Sequence, residues 1–137
     1  MSGITKEQAQ NHFDNNFNSW IREMGLTIEE IRPDFVSMRM PVSEKVIRTG
    51  GMICGQAIMA LGDTAMVFAV AASVGRFVPM TTVNMQTSFL RAAMGDEMFC
   101  DVRIVKRGKR LVYGDMNLHM GDPEVTAAHA TTSVMLL

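Results

Sequence analysis

A long apolar segment in the middle of the chain is interrupted by a single charged residue. From Ile53 to Val74 nearly every position is apolar or small, and Asp63 alone carries a charge. This pattern predicts a helix over residues 54–74 that ends near Gly75 and is enclosed by the rest of the protein on most sides. A buried carboxylate is costly unless it is paired or hydrogen-bonded. Asp63 is therefore a candidate functional residue.

The N-terminal segment has the apolar spacing of an amphipathic helix. Thr5 and Gln8 fit a capping box, and Gly25 is a natural stop. Six apolar residues fall on one predicted helix face, namely Ala9, Phe13, Phe17, Trp20, Ile21 and Met24. We expect this face to pack on the core or to form a lid, and not to bind a ligand.

Alternating apolar and polar positions predict short strands around the central helix. They cover residues 26–31, 35–42, 81–90, 97–105, 111–120 and 125–137. The stretch 43–52 has no periodicity and predicts a loop. Because short turns join the last four strands, we expect those strands to form an antiparallel meander. The predicted fold is α+β, with five or six antiparallel strands curled around one long helix and an N-terminal helix, in one domain spanning residues 1–137.

Composition narrows the possible functions. The net charge is −1, which gives no electrostatic basis for binding nucleic acid or an anionic membrane. Asp63 at the centre of the apolar segment would cost about 2.5–3.5 kcal/mol on membrane insertion, so a spanning helix is not predicted. Cys54 and Cys100 have no metal or redox spacing, and the N-terminus has no signal-peptide pattern. We expect a cytoplasmic protein with reduced thiols and no metal.

The start of the central helix resembles a motif of a known family. The segment from Arg48 to Ala65 reads R-T-G-G-M-I-C-G-Q-A-I-M-A-L-G-D-T-A. It is similar to N-x-x-G-x-x-H-G-G-x-x-x-x-L-A-D-T-A of hotdog-fold acyl-CoA thioesterases of the phenylacetate-pathway (PaaI-like) branch. Six positions match at the same spacing: Gly51, Gly55, Leu61, Asp63, Thr64 and Ala65. Arg48, Cys54 and Gln56 replace asparagine, histidine and the second glycine, and the resemblance extends from about Leu26 to the end.

The resemblance implies hydrolysis of an acyl-CoA thioester, with no cofactor apart from the coenzyme A of the substrate. Asp63 would act as nucleophile or general base, and the Gly55 amide would stabilise the oxyanion. Residues expected to bind substrate are Arg48, Gly51, Cys54, Gln56 and Thr64. The alternatives are structural: Asp63 capping a loop or pairing with Arg48, and Gly55 allowing close packing.

Helix geometry adds a prediction about assembly. Asp63 lies eight residues after Gly55, which is about 12 Å along one helix. Both groups can act on one carbonyl only if they come from different subunits. We therefore expect a homodimer or a dimer of dimers, as in the related thioesterases, joined through the strand at residues 81–90.

Basic residues near two turns are candidates for binding the coenzyme A phosphates. They are Arg91, Lys106, Arg107, Lys109 and Arg110. An ordinary solvated hairpin tip is the alternative reading for the last four.

Two other functions and one other catalytic residue are compatible with the sequence. A non-catalytic acyl-CoA-binding protein fits the replaced motif residues, although a binder gains nothing from burying a carboxylate beside an anionic ligand. A hydratase or dehydratase fits less well, because no histidine occurs between residues 13 and 118. A nucleophilic Cys54 at the helix N-terminus is a third alternative. The acyl group is left open.

Overall fold

The computed structural model describes residues 3–137, which form three helices and six strands. The helices are α1 (Lys6–Asn16), α2 (Ser19–Arg22) and α3 (Gly55–Val74). The strands are β1 (Thr27–Arg32), β2 (Phe35–Pro41), β3 (Met80–Phe89), β4 (Glu97–Arg107), β5 (Leu111–His119) and β6 (Thr126–Leu136). Every strand expected from the sequence is present, with its ends within about two residues of the predicted bounds.

One antiparallel sheet curls around α3, which confirms the predicted fold class. The strand order is β1-β2-β4-β5-β6-β3, so β1 and β3 form the two edges. Cys54 occupies the N-cap position of α3, and Gly75 ends the helix in the left-handed conformation with its N–H donating to the carbonyl oxygen of Ala71. Although α3 is long and apolar enough to cross a membrane, 67% of its most apolar window is buried inside the protein.

The predicted four-strand meander is wrong for its first strand. Only β4, β5 and β6 are consecutive neighbours, whereas β3 pairs with β6 at the edge of the sheet. The backbone N–H groups of Leu90 and Arg91 donate to the carbonyl oxygen of Ala127, which keeps the chain beside β6 after β3 ends. The chain then passes β6 and β5 to reach the position of β4, which lies between β2 and β5.

The predicted N-terminal helix is broken at Phe17 and Asn18. The capping box at Thr5 and Gln8 is confirmed, but both break residues have extended backbone, and a second short helix starts at Ser19. Asn15 and Asn16 precede the break, and Asn18 forms part of it. Asparagine is a weak helix former because its side chain competes for backbone hydrogen bonds. The helical spacing is lost there, so Trp20 is 62% exposed instead of lying on the buried face.

α3 packs closely on the sheet at Gly62. A Cβ atom at this position would lie 2.7 Å from the Met116 sulfur and 2.9 Å from the terminal methyl carbon of Met85. Met116 is fully buried, as are four other core methionines, Met38, Met40, Met66 and Met98. These methionines therefore serve as adaptable packing in the core.

Candidate functional site

Asp63 lies on the face of α3 that the sheet leaves partly open. One of its carboxylate oxygens accepts a hydrogen bond from the Thr82 hydroxyl on β3, at 2.8 Å. The carboxylate faces a cavity of about 230 Å³ whose other walls come mainly from the region of the helix break. They are Phe17, Asn18, Trp20, Ile21, Ala60, Thr64 and Val67. Asp63 is half-buried, so the carboxylate expected to be buried in the apolar helix is within reach of a ligand.

Gly55 lines a different cavity, of about 450 Å³, at the N-terminus of α3. Arg48 and Arg91 also line it, so two of the predicted cationic residues lie beside the predicted oxyanion donor. The Gly55 N–H has no acceptor within residues 3–137, and it lies where the helix dipole is positive. This end of α3 is suited to an anionic or polarised oxygen.

The loop before α3 positions Arg48 and the helix start. Gly50 and Gly51 both have positive φ, at 99° and 83°, which glycine adopts without strain. The Gly51 N–H donates to the carbonyl oxygen of Arg48, and the Cys54 N–H donates to that of Val46. Gly51 therefore shapes the turn, and the structure does not place it in the Gly55 cavity.

Cys54 and Gln56 line a third cavity, of about 430 Å³, between α2 and the loop before α3. The remaining walls are Trp20, Glu23, Met24, Lys45, Val46 and Ala57. Lys45 and Glu23 form an exposed ion pair at 3.2 Å across it. Among these described residues there is no histidine to activate Cys54, so the geometry does not favour the thiol as a nucleophile.

The predicted site residues therefore divide between separate cavities of one chain. Asp63 and Thr64 line one, Gly55, Arg48 and Arg91 a second, and Cys54 and Gln56 a third. The sequence analysis missed Thr82 and placed Phe17 and Trp20 in a packing face. The polar positions in the break were the signal that the helix face would not continue.

The basic hairpin lies far from the Gly55 cavity within one chain. The backbone of Arg110, beside the hairpin, accepts from Leu136, which pairs with Met80 at the start of β3. The ring of Phe89, at the other end of β3, is 3.4 Å from where a Cβ atom on Gly55 would lie. The length of β3 therefore separates Lys106, Arg107, Lys109 and Arg110 from Gly55.

A second polar cluster lies elsewhere, on the outer face of the sheet. Ser37 donates to one oxygen of Asp101 at 2.7 Å, and the Nε2 atom of His119 lies 2.8 Å from the other. The Gly121 N–H donates to Nδ1 of His119 at 3.1 Å. Both ring nitrogens are engaged, so no lone pair is free to take a proton from Ser37, and the cluster is not a Ser-His-Asp triad.

Comparison with known proteins places this arrangement in one family. The family model described as the thioesterase superfamily matches residues 50–127, which include α3 and the strands up to the start of β6. An inferred esterase of Thermoplasma acidophilum is 25% identical over 99 residues, covering 72% of this chain and 74% of that protein.

Solved structures agree on the fold. A thioesterase of Haemophilus influenzae superposes with a TM-score of 0.87 at 14% identity, covering 100% of this chain and 95% of that one. The E. coli PaaI protein from the phenylacetic acid degradation operon has a TM-score of 0.81 at 16% identity, covering 96% and 95%. The predicted resemblance to hotdog-fold thioesterases is confirmed, by the family model for the superfamily and by the solved structures for the fold.

Proposed function

The chain belongs to the thioesterase superfamily, and we propose that it hydrolyses an acyl-CoA to free coenzyme A and a carboxylic acid. In this proposal Asp63 of one subunit and the Gly55 amide of the partner subunit act on the same thioester carbonyl. The observation that carries it is the separation of the two groups into different cavities, about 12 Å apart along one helix.

The β3 edge supports a dimer that brings the two groups together. Asp63 is hydrogen-bonded to Thr82 near the start of β3, and Gly55 lies against Phe89 at its end. If two copies pair antiparallel through β3, Thr82 comes opposite Phe89 of the partner subunit. The same twofold axis brings Asp63 toward Gly55 of the partner subunit, and a symmetric dimer then has two equivalent sites.

The groups at each site match the chemistry of thioester hydrolysis. Attack on the carbonyl carbon places negative charge on the oxygen, which the free Gly55 N–H and the α3 dipole would stabilise. The Asp63 carboxylate either attacks the carbon, giving an anhydride that water then cleaves, or removes a proton from the attacking water. In both routes one water is consumed, the C–S bond breaks, and the thiolate of coenzyme A leaves and is protonated.

The cationic residues would hold the coenzyme A phosphates. Arg48 and Arg91 line the Gly55 cavity of their own subunit. The β3 pairing brings the hairpin residues Lys106, Arg107, Lys109 and Arg110 of one subunit toward the Gly55 end of the other, because the hairpin lies at the Met80 end of β3. Gly51, Cys54, Gln56 and Thr64 remain candidate substrate contacts.

Thiol release from a panel of acyl-CoAs tests this function in the wild type and in Asp63→Asn. We expect at least a ~100-fold loss of the hydrolysis rate, because the variant lacks the base or nucleophile. Asp115→Asn is the matched control, since Asp115 is also half-buried but lies on the outer face of the sheet. We expect this control to keep the wild-type rate.

Two results would contradict the proposal. Equal rates in the wild type and Asp63→Asn would remove Asp63 from the reaction. No thiol release from any acyl-CoA, with binding of acyl-CoA intact in both proteins, would favour a non-catalytic acyl-CoA-binding protein.

A further inference from the structure

Trp20 stands between two cavities of the same subunit. It is the one residue, among those described, that lines both the Asp63 cavity and the cavity at Cys54 and Gln56. Its side chain is 62% exposed, so packing does not account for a large indole at this position. The break between α1 and α2 turns it out of the core, because Phe17 and Asn18 have extended backbone.

The two cavities follow one another along α3. One contacts the first helical turn at Gln56 and Ala57, and the other contacts Ala60, Asp63 and Val67. At about 1.5 Å per residue, their centres lie ~10 Å apart along the helix. Both have apolar walls, such as Met24 and Val46 on one side of the indole and Phe17 and Ile21 on the other. The indole is the wall that the two cavities share.

We propose that Trp20 sets the maximum length of the acyl chain. The inference rests on the proposed function and adds a substrate class to it, namely acyl groups short enough to end in the Asp63 cavity. With the carbonyl beside Asp63, the acyl group occupies the cavity of about 230 Å³ and meets the indole at its far wall. Longer chains have to pass the indole to reach the neighbouring space of about 430 Å³, which Trp20 also lines.

Kinetics with acyl-CoAs of increasing chain length test the proposal. For Trp20→Ala we expect the ratio of kcat/KM for dodecanoyl-CoA over butanoyl-CoA to rise by at least ~10-fold, since a single methylene in an apolar pocket is worth about that factor. Trp20→Phe, which keeps a ring, should give a smaller rise. Tyr113→Ala is the matched control, because Tyr113 is an exposed aromatic residue outside these cavities, and its ratio should equal that of the wild type.

Fluorescence gives a readout that does not depend on turnover. Trp20 is the only tryptophan of the chain, so its emission reports on this wall alone. In the slow variant Asp63→Asn we expect hexanoyl-CoA to change the emission. Free coenzyme A should not, since it has no acyl group.

The outcomes separate this inference from the proposed function. Hydrolysis by the wild type with an unchanged chain-length ratio in Trp20→Ala would overturn the role of Trp20 and leave the thioesterase intact. Calorimetric binding of hexanoyl-CoA without a change in emission would do the same. If no acyl-CoA is bound or hydrolysed, both the proposed function and the inference fail.

Discussion

The hydrogen bond between Asp63 and Thr82 is the contact that connects the candidate chemistry with the rest of the fold. The hydroxyl donates at 2.8 Å to one carboxylate oxygen and leaves the other available to a substrate or water. Because Thr82 belongs to the edge strand β3, the position of the carboxylate depends on that strand. Replacing Asp63 removes the carboxylate, whereas a change in β3 would shift the position of the carboxylate.

His12 is a residue whose surroundings change its protonation. Its ring stacks on Phe77 with centroids 4.0 Å apart, and the Nδ1 atom lies 3.3 Å from the side-chain amide of Asn16. Burial lowers the pKa of His12 below its ordinary value of 6.5. The neutral ring is therefore preferred in the folded protein.

The sign of the resulting pH dependence follows from this shift. Below pH 6.5 the unfolded chain binds a proton that folded His12 resists, so the free energy of unfolding falls as the pH drops toward the folded pKa. Above pH 6.5 the ring is neutral in both states, and the contribution of His12 to the free energy of unfolding is fully present. For His12→Phe, which keeps a stacked ring, we expect a weaker decline than in the wild type.

Urea unfolding at about pH 7.5 and about pH 5.5 measures the difference between the two proteins. Other titrating groups act in both the wild type and His12→Phe. Only the difference between the two proteins in how the free energy of unfolding changes with pH therefore belongs to His12. Identical slopes would contradict the assignment.

At the scale of elements, β3 has the features of an interface strand. It is ten residues long, has a neighbour on one side only, and exposes Val83 and Phe89. A long apolar edge with unpaired backbone groups attracts another strand, and proteins normally protect such edges. The proposed dimer would cover it.

Placing a charge on this edge tests its role. We expect Val83→Lys to shift the protein from dimer to monomer in sedimentation velocity and to lose hydrolysis with it. The free energy of unfolding of the monomer should change little, within about 0.5 kcal/mol, because Val83 is 55% exposed.

Val105→Lys is the matched control, since Val105 is 56% exposed and lies on β4. It should remain dimeric. A wild-type protein that is monomeric, or a Val83→Lys variant that assembles like the wild type, would contradict the proposed interface.

The sequence predicted elements better than it predicted their neighbours. The apolar run located α3 and periodicity located all six strands, because burial leaves its mark on each segment. The pairing of β3 with β6 was not readable, since the seven residues between Phe89 and Glu97 permit either a turn or a crossover. Strand order depends on contacts between distant segments, which no local pattern records.

The same limit applied to the site. Asp63 and Gly55 became candidates because one is a lone charge in an apolar helix and the other is a glycine at the helix start. Trp20 was misplaced because helical spacing assumes an unbroken helix. The break at Phe17 and Asn18 leaves Trp20 exposed, although Ile21 and Met24 stay buried. Thr82 was missed because its contact with Asp63 spans nineteen residues of sequence.

In the whole molecule, the proposed activity depends on the arrangement of two chains. One chain holds every candidate group, yet it keeps Asp63 and Gly55 in separate cavities. The assembly as a dimer or a dimer of dimers and the cytoplasmic location stay predictions. The central claim is that each active site uses Asp63 from one subunit and Gly55 from the other.

Mixing two inactive variants tests this claim most directly. Gly55→Pro removes the amide N–H at the first helical position, which proline tolerates, and Cys54 before it already has extended backbone, with ψ of 151°. Gly55→Ala is the control that keeps the N–H, and a Cβ atom there meets Phe89 at an ordinary 3.4 Å. We expect Gly55→Ala to be active and Gly55→Pro to be nearly inactive.

Gly55→Pro and Asp63→Asn are then mixed under conditions that exchange subunits, and thiol release is measured. A mixed dimer has one site with both groups intact, so random exchange should restore roughly a quarter of the wild-type rate. If both groups acted within one chain, every site would lack one of them. A mixture no more active than its two components, with exchange verified, would contradict the shared site.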